Sequence, residues 1–331
     1  MSEMALPPAA LIARFRADAE RLTSRAPTPD EPLGVAVSGG PDSLALLLLA
    51  CAAYPRCAVA ATVDHGLRPA AAAEAAMVGE LCGRLGVPHV TLRGDAAQEP
   101  RGSVQDRARR LRYRLLGAWG ERGGAGWIAT GHHRDDQAET FLMRAARGAG
   151  VGGLAGVRTR TELAGMAVPL IRPVLGWTRA ELAAIAAGLA AVDDPANRDP
   201  AHDRTAFRAL LRDNAVLRAE GLARAAANLA DAERALDWTA GRLAAERLHR
   251  DGEALLLTTP LDLPRELLRR LVLMALAQAG GALPPRGGAV ERLIERLSAG
   301  VPATLAGVIA RPGPHWRFAP APARRAGLTI V

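Results

Sequence analysis

The stretch Ser38-Gly39-Gly40-Pro41-Asp42-Ser43 decides the fold of this chain, because it joins an apolar run to a helical pattern. Residues 33–37 are typical of a short buried strand, and residues 43–50 of the start of a buried helix. Where a strand enters a glycine turn that opens a helix, backbone N–H groups stay unpaired and the helix dipole is positive. The hexapeptide therefore predicts a phosphate-binding loop.

The residue types inside this loop suit phosphates in three ways. Its glycines let the backbone approach an anion, and its serines add hydroxyl donors. Pro41 suits the first helical position, where its missing N–H costs nothing. Asp42 is the odd member, since a carboxylate beside phosphates makes sense mainly as a ligand of bridging Mg²⁺. The alternative is an ordinary strand-to-helix turn, which a bare Ser-Gly-Gly would leave equally open.

Composition narrows the classes of protein further. The chain has 42 basic residues and none is lysine, so all are arginine. This excludes a Walker-type P-loop and any Schiff-base or adenylated-lysine mechanism. A net charge of +8 with a pI near 10.8 favours an acidic partner, with nucleic acid ahead of a membrane. Codon bias accounts for most of the preference for arginine over lysine.

Strand and helix patterns alternate along the first part of the chain. Strand patterns fall at 33–37, 57–63, 87–92 and 127–130, and helix patterns at about 43–54, 72–86, 103–121 and 135–147. Such alternation predicts an α/β fold with a doubly wound parallel sheet covered by helices on both faces. Ligands of such sheets bind at the carboxyl ends of the strands.

The rest of the chain predicts a second, smaller domain. Glycines at 148–156 indicate a loop, after which a strand at Leu170–Val174 and a helix at about 178–190 complete a first domain spanning 1–214. Residues 215–331 then contain a helical linker to about His249 and a small α+β module. We expect this module to hold two helices and strands at Ala254–Thr258, Thr304–Ile309 and His315–Phe318.

Cysteines and apolar runs bear on location. Cys51, Cys57 and Cys82 form neither a CxxC pair nor a disulfide framework, which fits a reducing cytoplasm. The longest apolar run, 44–53, is too short to span a bilayer. The N-terminal residues predict an amphipathic helix instead of a signal peptide. We therefore expect a cytoplasmic protein with no membrane partner.

Two polar clusters follow predicted strands. Val63-Asp64-His65-Gly66-Leu67-Arg68 follows the second strand, where Val63 and His65 are candidates for adenine binding. Gly131-His132-His133-Arg134-Asp135-Asp136-Gln137-Ala138-Glu139-Thr140 follows the fourth. Its acids could merely cap a helix, as Asp64 could cap a turn. So many polar groups at the expected ligand edge instead favour a catalytic role, with the acids suiting Mg²⁺ better than zinc.

Two arginine clusters complete the candidate set. In the predicted helix 103–121, Arg109 and Arg112 share a face beside Tyr113, which suits phosphate contact and base stacking. A solvated basic face is the alternative. Asp194-Pro195-Ala196-Asn197-Arg198-Asp199 indicates a turn. Arg204 and Arg208 follow it, one helical turn apart, a spacing able to grip a phosphate or an acidic group.

These five segments resemble the tRNA(Ile)-lysidine synthetase family of the N-type ATP pyrophosphatase (PP-loop) superfamily. The resemblance covers about residues 33–210 and implies an adenine nucleotide alpha-hydrolase-like fold. Family members adenylate the C2 oxygen of the wobble cytidine in a CAU-anticodon isoleucine tRNA and release PPi. The ε-amine of free L-lysine then displaces AMP, giving lysidine, which pairs with A instead of G. The C-terminal module resembles the family only loosely.

The resemblance also implies roles for individual residues. Asp42, Asp136 and Arg112 become the expected catalytic residues, and Asp42 the Mg²⁺ ligand through pyrophosphate. The expected ATP-binding residues are Ser38, Gly39, Gly40, Pro41, Asp42, Ser43, Val63, His65, Gly131 and His132. Those expected to recognise tRNA or lysine are Arg109, Asp135, Glu139, Arg204 and Arg208.

Partners and rival functions follow from the same resemblance. The expected partners are ATP, Mg²⁺, free L-lysine and tRNA(Ile) with a CAU anticodon. The sequence leaves the oligomeric state open, with a homodimer among the alternatives. Two rival functions also stay open: a PP-loop enzyme that thiolates tRNA, and a non-catalytic relative that only binds tRNA.

Overall fold

A computed structural model describes residues 6–66, 70–100, 103–162, 167–192, 203–281 and 288–322. Contacts divide the chain into two compact units, Met1–Ala230 and Asp231–Val331. The boundary falls inside the longest described helix, Ala219–Arg247. Each unit has its own hydrophobic core, so each is described separately below.

The first unit is built on a six-stranded sheet with the order β3-β2-β1-β4-β6-β5. Its strands are β1 (Leu33–Ala36), β2 (Ala58–Asp64), β3 (His89–Arg93), β4 (Trp127–Ala129), β5 (Arg160–Thr161) and β6 (Leu170–Ile171). All neighbours pair in parallel except β5, which runs antiparallel to β6 at the edge. The predicted α/β fold is confirmed. The antiparallel edge strand β5 was not predicted from the sequence.

Helices cover both faces of this sheet. They are α1 (Ala9–Thr23), α2 (Pro41–Ala53), α3 (Ala70–Leu85), α4 (Val104–Arg122), α5 (Arg134–Ala145), α6 (Val151–Leu154), α7 (Arg179–Ile185) and α8 (Asp203–Asp213). The leucine-rich α2 is buried along most of its length, in the larger core of this unit. A second core joins α4 residues to strands β2, β4 and β6. Because parallel strands end at one edge, these layers bring the residues after β1, β2, β4 and β6 together.

Residues 148–156 depart from the expectation of a plain loop. The structure places the one-turn helix α6 there, between Gly148 and Gly156, which both have a positive φ. Gln137 anchors this segment, since its amide donates to the Val157 carbonyl at 2.8 Å and its oxygen accepts from the Val157 N–H. A Cβ on Gly156 would lie 2.5 Å from that amide oxygen, so glycine is required there.

The second unit contains a five-stranded antiparallel sheet with the order β7-β8-β11-β10-β9. Its strands are β7 (Leu248–Asp251), β8 (Ala254–Thr258), β9 (Ala303–Leu305), β10 (Val308–Arg311) and β11 (His315–Pro320), and its helices are the end of α9 (Ala219–Arg247), α10 (Arg265–Gln278) and α11 (Ala289–Ser298). The inner faces of α10 and α11 pack on this sheet in one core.

The single strand expected at 304–309 is wrong. The chain turns at Ala306 and Gly307, whose φ angles are 54° and 81°, so the segment forms a hairpin of β9 and β10. Apolar residues flank the turn without a break, which hid it from the pattern. Strand β7 was likewise hidden, since it follows α9 directly. Within the described ranges, no helix combines the length and apolar composition that a membrane crossing requires.

Candidate active site

The loop after β1 adopts the geometry that its sequence predicted. Gly39 has φ 84°, and Gly40 precedes the first helical residue, Pro41. The Gly39 carbonyl accepts a hydrogen bond from Val192 N–H at 2.9 Å, and a Cβ on Gly39 would lie 2.8 Å from a Val192 methyl carbon. Glycine is therefore needed for both conformation and space.

The two serines of the loop bond to the loop itself. The Ser43 hydroxyl donates to the Gly40 carbonyl at 2.9 Å and accepts from the Ser38 N–H at 3.1 Å. The Ser38 hydroxyl lies 3.2 Å from the Ser43 hydroxyl. In the described part of the chain, the N–H groups of Gly39 and Gly40 have no acceptor. These donors point to an anion at the α2 N-terminus.

Gly131 lets the segment after β4 touch this loop. A Cβ at Gly131 would lie 3.0 Å from the Asp42 carbonyl oxygen and 3.2 Å from the Ser43 nitrogen. Any larger residue would push the two segments apart. This contact places the His132–Glu139 cluster beside the phosphate loop.

His133 joins the two segments by a carboxylate contact. Its Nε2 lies 3.4 Å from Asp42 Oδ2 and 3.6 Å from Asp136 Oδ2, and its Nδ1 lies 3.6 Å from Asp135 Oδ2. Burial alone would lower the pKa of His133, but the carboxylates of Asp135 and Asp42, which accept from the imidazolium, outweigh it and raise the pKa to about 10. The imidazolium is thus a fixed positive charge among three acids.

Sequence reasoning missed the role of His133. It assigned ATP binding to His132, whereas His133 is the histidine in contact with Asp42. Two adjacent histidines do not by their residue type show which of the two side chains turns inward. His133 is only 1 % exposed. Its position as the residue just before α5 was the one available signal, because side chains there face the helix N-terminus.

Asp42 has one oxygen free for a ligand. Its Oδ1 is buried and has no hydrogen-bond partner among the described residues, while Oδ2 contacts His133. A buried oxygen left unpaired is costly unless something binds it. Mg²⁺ prefers carboxylate and phosphate oxygens, so Asp42 fits the predicted role. Within the described ranges, no three His, Cys, Asp or Glu side chains group as a metal site.

Asp135 and Asp136 begin α5 with different partners. Asp135 accepts from the Arg179 N–H at 3.0 Å, and the adjacent His133 lowers the pKa of Asp135 to about 2. Asp136 accepts from the His133 N–H at 3.0 Å, completing a capping box. Its other oxygen accepts from Arg204 at 3.0 Å. The capping alternative therefore describes one oxygen of Asp136 and leaves the second for charge pairing.

Glu139 binds both arginines of α8. It is 2 % exposed and accepts from Arg204 Nε at 2.8 Å and Arg208 Nε at 2.7 Å. Charge-assisted bonds of this length are strong in a buried setting. The structure thus brings together Asp136, Glu139, Arg204 and Arg208, but as mutual partners. The preceding segment Asp194–Asp199 lies outside the described residues.

His65 and Arg112 meet at the end of β2. Arg112 Nη2 lies 3.3 Å from His65 Nε2, and burial together with the Arg112 charge lowers the pKa of His65 to about 4. A neutral His65 can accept from the guanidinium. Burial likewise lowers the pKa of His132 to about 3, with Thr130 Oγ1 2.9 Å from its Nδ1. Both predicted ATP-binding histidines are therefore uncharged. The residues Leu67 and Arg68 of the same sequence cluster as His65 lie outside the described residues.

The raised pKa of His133 predicts how stability depends on pH. The stabilisation is fully present below the ordinary histidine pKa of about 6.5 and is lost as pH rises towards about 10. His133→Gln should lower the free energy of unfolding by about 3 kcal/mol at neutral pH, since three carboxylates lose their cation. Urea denaturation across this pH window measures both effects. Parallel pH curves for the wild type and the variant would contradict the prediction.

Comparisons with known proteins agree with this geometry. The family model described as PP-loop domain matches residues 13–215. A tRNA(Ile)-lysidine synthase from Zymomonas mobilis is 46 % identical over 298 residues, covering 88 % of this chain and 89 % of that protein. One from Novosphingobium aromaticivorans is 45 % identical over 317 residues, covering 94 % of each.

A solved structure supports the fold alone. The U34-tRNA thiolase of Methanococcus maripaludis, which carries a 4Fe-4S cluster, aligns with a TM-score of 0.54 at 16 % identity. The alignment covers 67 % of this chain and 80 % of that one. At such identity, the likeness extends to the sheet and helices and says nothing of chemistry. The identity and coverage of the two synthases decide the family: this chain belongs to the tRNA(Ile)-lysidine synthase family of PP-loop proteins.

Proposed function

We propose that this protein ligates free L-lysine to C2 of the wobble cytidine in CAU-anticodon tRNA(Ile). ATP first adenylates the cytidine C2 oxygen with loss of PPi. The lysine ε-amine then displaces AMP, forming the carbon–nitrogen bond of lysidine. Codon recognition changes from AUG to AUA. We place the reaction in the cytoplasm, and the formation of a homodimer stays a prediction.

One observation supports this function best: His133 links the phosphate loop to the acids of α5. Asp42 lies 3.4 Å from one side of the imidazole and Asp135 3.6 Å from the other. A two-step ligase must hold ATP so that PPi leaves its α-phosphorus in the first step, and must then hold the amine close to the C2 carbon from which AMP departs in the second. Neighbouring sites for phosphate and for an ammonium group supply that arrangement.

The loop after β1 serves the first step. Backbone N–H groups of Gly39 and Gly40 and the α2 N-terminus would hold ATP phosphates. Mg²⁺ held by Asp42 would neutralise the leaving pyrophosphate. Arg112, held by neutral His65, stabilises the charge that develops on the base or phosphate. Val63 remains a candidate for contact with the adenine of ATP, and Gly131 a candidate for contact with its phosphates.

The α5–α8 cluster, which consists of Asp136 and Glu139 on α5 and Arg204 and Arg208 on α8, serves the second step. Lysine carries an α-amino group and an α-carboxylate at the end opposite its nucleophile. In the structure, Asp136 and Glu139 are paired with Arg204 and Arg208. A zwitterion can exchange into such a pair, its ammonium on an acid and its carboxylate on an arginine. A carboxylate such as Asp136 could also take the proton that the ε-amine must lose.

The thiolation alternative requires reactive sulfur, and two of the thiols of this chain, Cys51 and Cys82, oppose it. Burial raises the pKa of Cys51 to about 12 and that of Cys82 to about 11. A thiolate, not a thiol, attacks or binds metal, so these two groups are held in the inert form. Cys82 is fully buried in the core. The chemistry of these cysteines favours ligation of an amine over transfer of sulfur.

An ATP–PPi exchange assay tests the proposal. Exchange that requires CAU-anticodon tRNA, followed by lysine-dependent release of AMP, would support the ligase. A requirement for a sulfur donor would replace it with thiolation. A chain that binds tRNA but exchanges no PPi would be a non-catalytic relative.

The second unit is expected to add tRNA affinity. A chain ending near residue 230 keeps the phosphate loop and the α5–α8 cluster, so ATP affinity should change little. Affinity for tRNA should fall at least about tenfold, with a shallower dependence on salt because phosphate contacts are lost. Filter binding at several salt concentrations, with ATP calorimetry beside it, measures both. Unchanged tRNA affinity would make the second unit a structural appendage.

A further inference from the structure

Three arginines of the first unit form a group of like charges: Arg109, Arg144 and Arg172. Among the described residues, none of the three lies within ion-pair distance of a carboxylate, although most arginines of the α5–α8 cluster do. Burial, followed by the charge of Arg109, lowers the pKa of Arg144. Burial and Arg109 also lower the pKa of Arg172, against the effect of Tyr113. Within the described ranges, no carboxylate compensates the positive charge of this group.

Arg172 is the buried member of this group. It directly follows β6 and is only 4 % exposed. Its Nη1 donates to the Arg158 carbonyl at 2.5 Å and to Thr161 Oγ1 at 3.0 Å. Its Nε is buried, and the described ranges supply it with no hydrogen-bond partner. Arginine cannot shed its proton in a protein, so this charge is costly unless an anion approaches it.

Arg109 and Arg144 lie on two helices, α4 and α5. The Arg109 guanidinium carbon lies 4.9 Å from the centre of the Tyr113 ring, and the Arg109 side chain is exposed. The Tyr113 phenol in turn interacts with Arg172. Arg144 Nη1 donates to the carbonyls of Gly153 and Gly156 at 2.7 and 2.9 Å, so its position is fixed. Tyr113 thus interacts with both Arg109 and Arg172.

Arg172 follows a different strand from the ATP loop, although the two strands end at the same edge of the sheet. That loop follows β1, whereas Arg172 follows β6, and β4 lies between the two strands. Both strands end at the same edge, so the group lies at the ligand edge beside the phosphate loop. The N–H donors of Gly39 and Gly40 already supply a place for ATP phosphates.

We propose that Arg109, Arg144 and Arg172 form a subsite for a backbone phosphate of the RNA substrate. Arginine forks match phosphate oxygens, and Tyr113 offers a face for an unstacked base. Phosphodiester and nucleotide phosphate share this chemistry; the RNA backbone is favoured because the ATP loop is separate. The subsite rests on the proposed function and deepens it, since it would hold the anticodon strand beside the reacting base.

Binding of a synthetic anticodon stem-loop RNA with the CAU anticodon tests the subsite on the full-length protein. Arg109→Ala removes an exposed side chain and should weaken RNA binding about tenfold. The slope of log affinity against log salt concentration should become shallower by about 0.7. Arg114→Ala is the matched control. Arg114 is also exposed on α4, but Glu99 partners it at 2.7 Å, so RNA affinity should stay within about twofold.

Two further variants address the buried arginine. Arg172→Lys keeps the charge but loses the fork, so RNA affinity should fall several-fold. Thr161→Val removes only a protein acceptor of Arg172 and should leave RNA affinity unchanged. A stem-loop with a single neutral methylphosphonate in the anticodon, placed in turn at each linkage, locates the phosphate. At the contacted linkage, Arg109→Ala should cause no further loss.

The outcomes separate the subsite from the proposed function. If Arg109→Ala and Arg172→Lys bind RNA with the affinity and salt slope of the wild type, the subsite is wrong, whatever happens to lysidine formation. If they lose affinity for ATP or pyrophosphate instead of RNA, the RNA assignment is wrong. A wild type that does not bind the stem-loop overturns both proposals. If the variants lose RNA affinity as expected but the wild type forms no lysidine, the subsite is supported and the ligase proposal is wrong.

Discussion

Asp42→Ala is expected to lower tRNA-dependent formation of AMP and PPi by about 10²–10³-fold, the largest effect of any single substitution proposed. Asp42 Oδ1 is buried, and no group in the described part of the chain bonds to it. Its loss removes the expected Mg²⁺ ligand beside the leaving pyrophosphate. Steady-state PPi release with saturating ATP and tRNA measures the effect.

The fold of this variant should persist at reduced stability. Asp42 Oδ2 contacts protonated His133, so its removal should lower the free energy of unfolding by about 1–3 kcal/mol. Asp42→Asn keeps the side-chain volume and should lose activity with a smaller loss of stability. Asp30→Asn, the same change at an exposed residue before β1, serves as the control. Near wild-type PPi release by either Asp42 variant would refute the pyrophosphatase assignment.

Asp136→Asn should reduce lysidine formation by about 10²-fold while tRNA-dependent ATP–PPi exchange stays near the wild-type rate. The asparagine oxygen can still accept from the His133 N–H and cap α5. The negative charge that faces Arg204 is lost, and with it a partner for the substrate ammonium. Separate assays of exchange and of lysine incorporation distinguish the two steps. Asp213→Asn, at the exposed end of α8, is the matched control.

Choice of amine tests the same pocket with the unchanged protein. Lysine should be incorporated well, whereas ornithine and arginine should be incorporated poorly, because their length or head group misplaces the nucleophile. Equal use of all three amino acids would contradict a pocket built from Asp136, Glu139, Arg204 and Arg208. So would an Asp136→Asn variant that loses exchange and ligation to the same extent.

Sequence determined the scaffold of this site because its signals are local. The loop at 38–43 needs only a strand, glycines and a helix start, all of which lie within one short window. Alternating strand and helix periods predicted β1 to β4 and the helices between them, and parallel strands necessarily end at one edge. For that reason the strand pattern predicts that Asp42, His65 and Asp136 lie near one another, whereas Arg112 is expected there only from the family resemblance.

The reliance on local signals also explains two wrong predictions, the single strand at 304–309 and the plain loop at 148–156. The hairpin at Ala303–Arg311 has apolar residues on both sides of its turn, so period alone could not separate two strands. The turn of α6 lies among glycines, which disfavour helix by propensity. There Gln137, fourteen residues before Val151, fixes the segment by bonding to Val157. Propensity was outweighed by a tertiary contact.

By itself, then, the sequence determined the phosphate loop, the parallel sheet and the set of polar residues at its edge. Only the tertiary structure decided how these side chains pair. His133 rather than His132 faces Asp42, and the arginines of α8 bind Glu139 across 65 and 69 residues of chain. Arg172 is likewise buried without a carboxylate among the residues described. Such pairings depend on how helices pack over the sheet, and charge–charge contacts between distant residues leave no periodicity in the sequence.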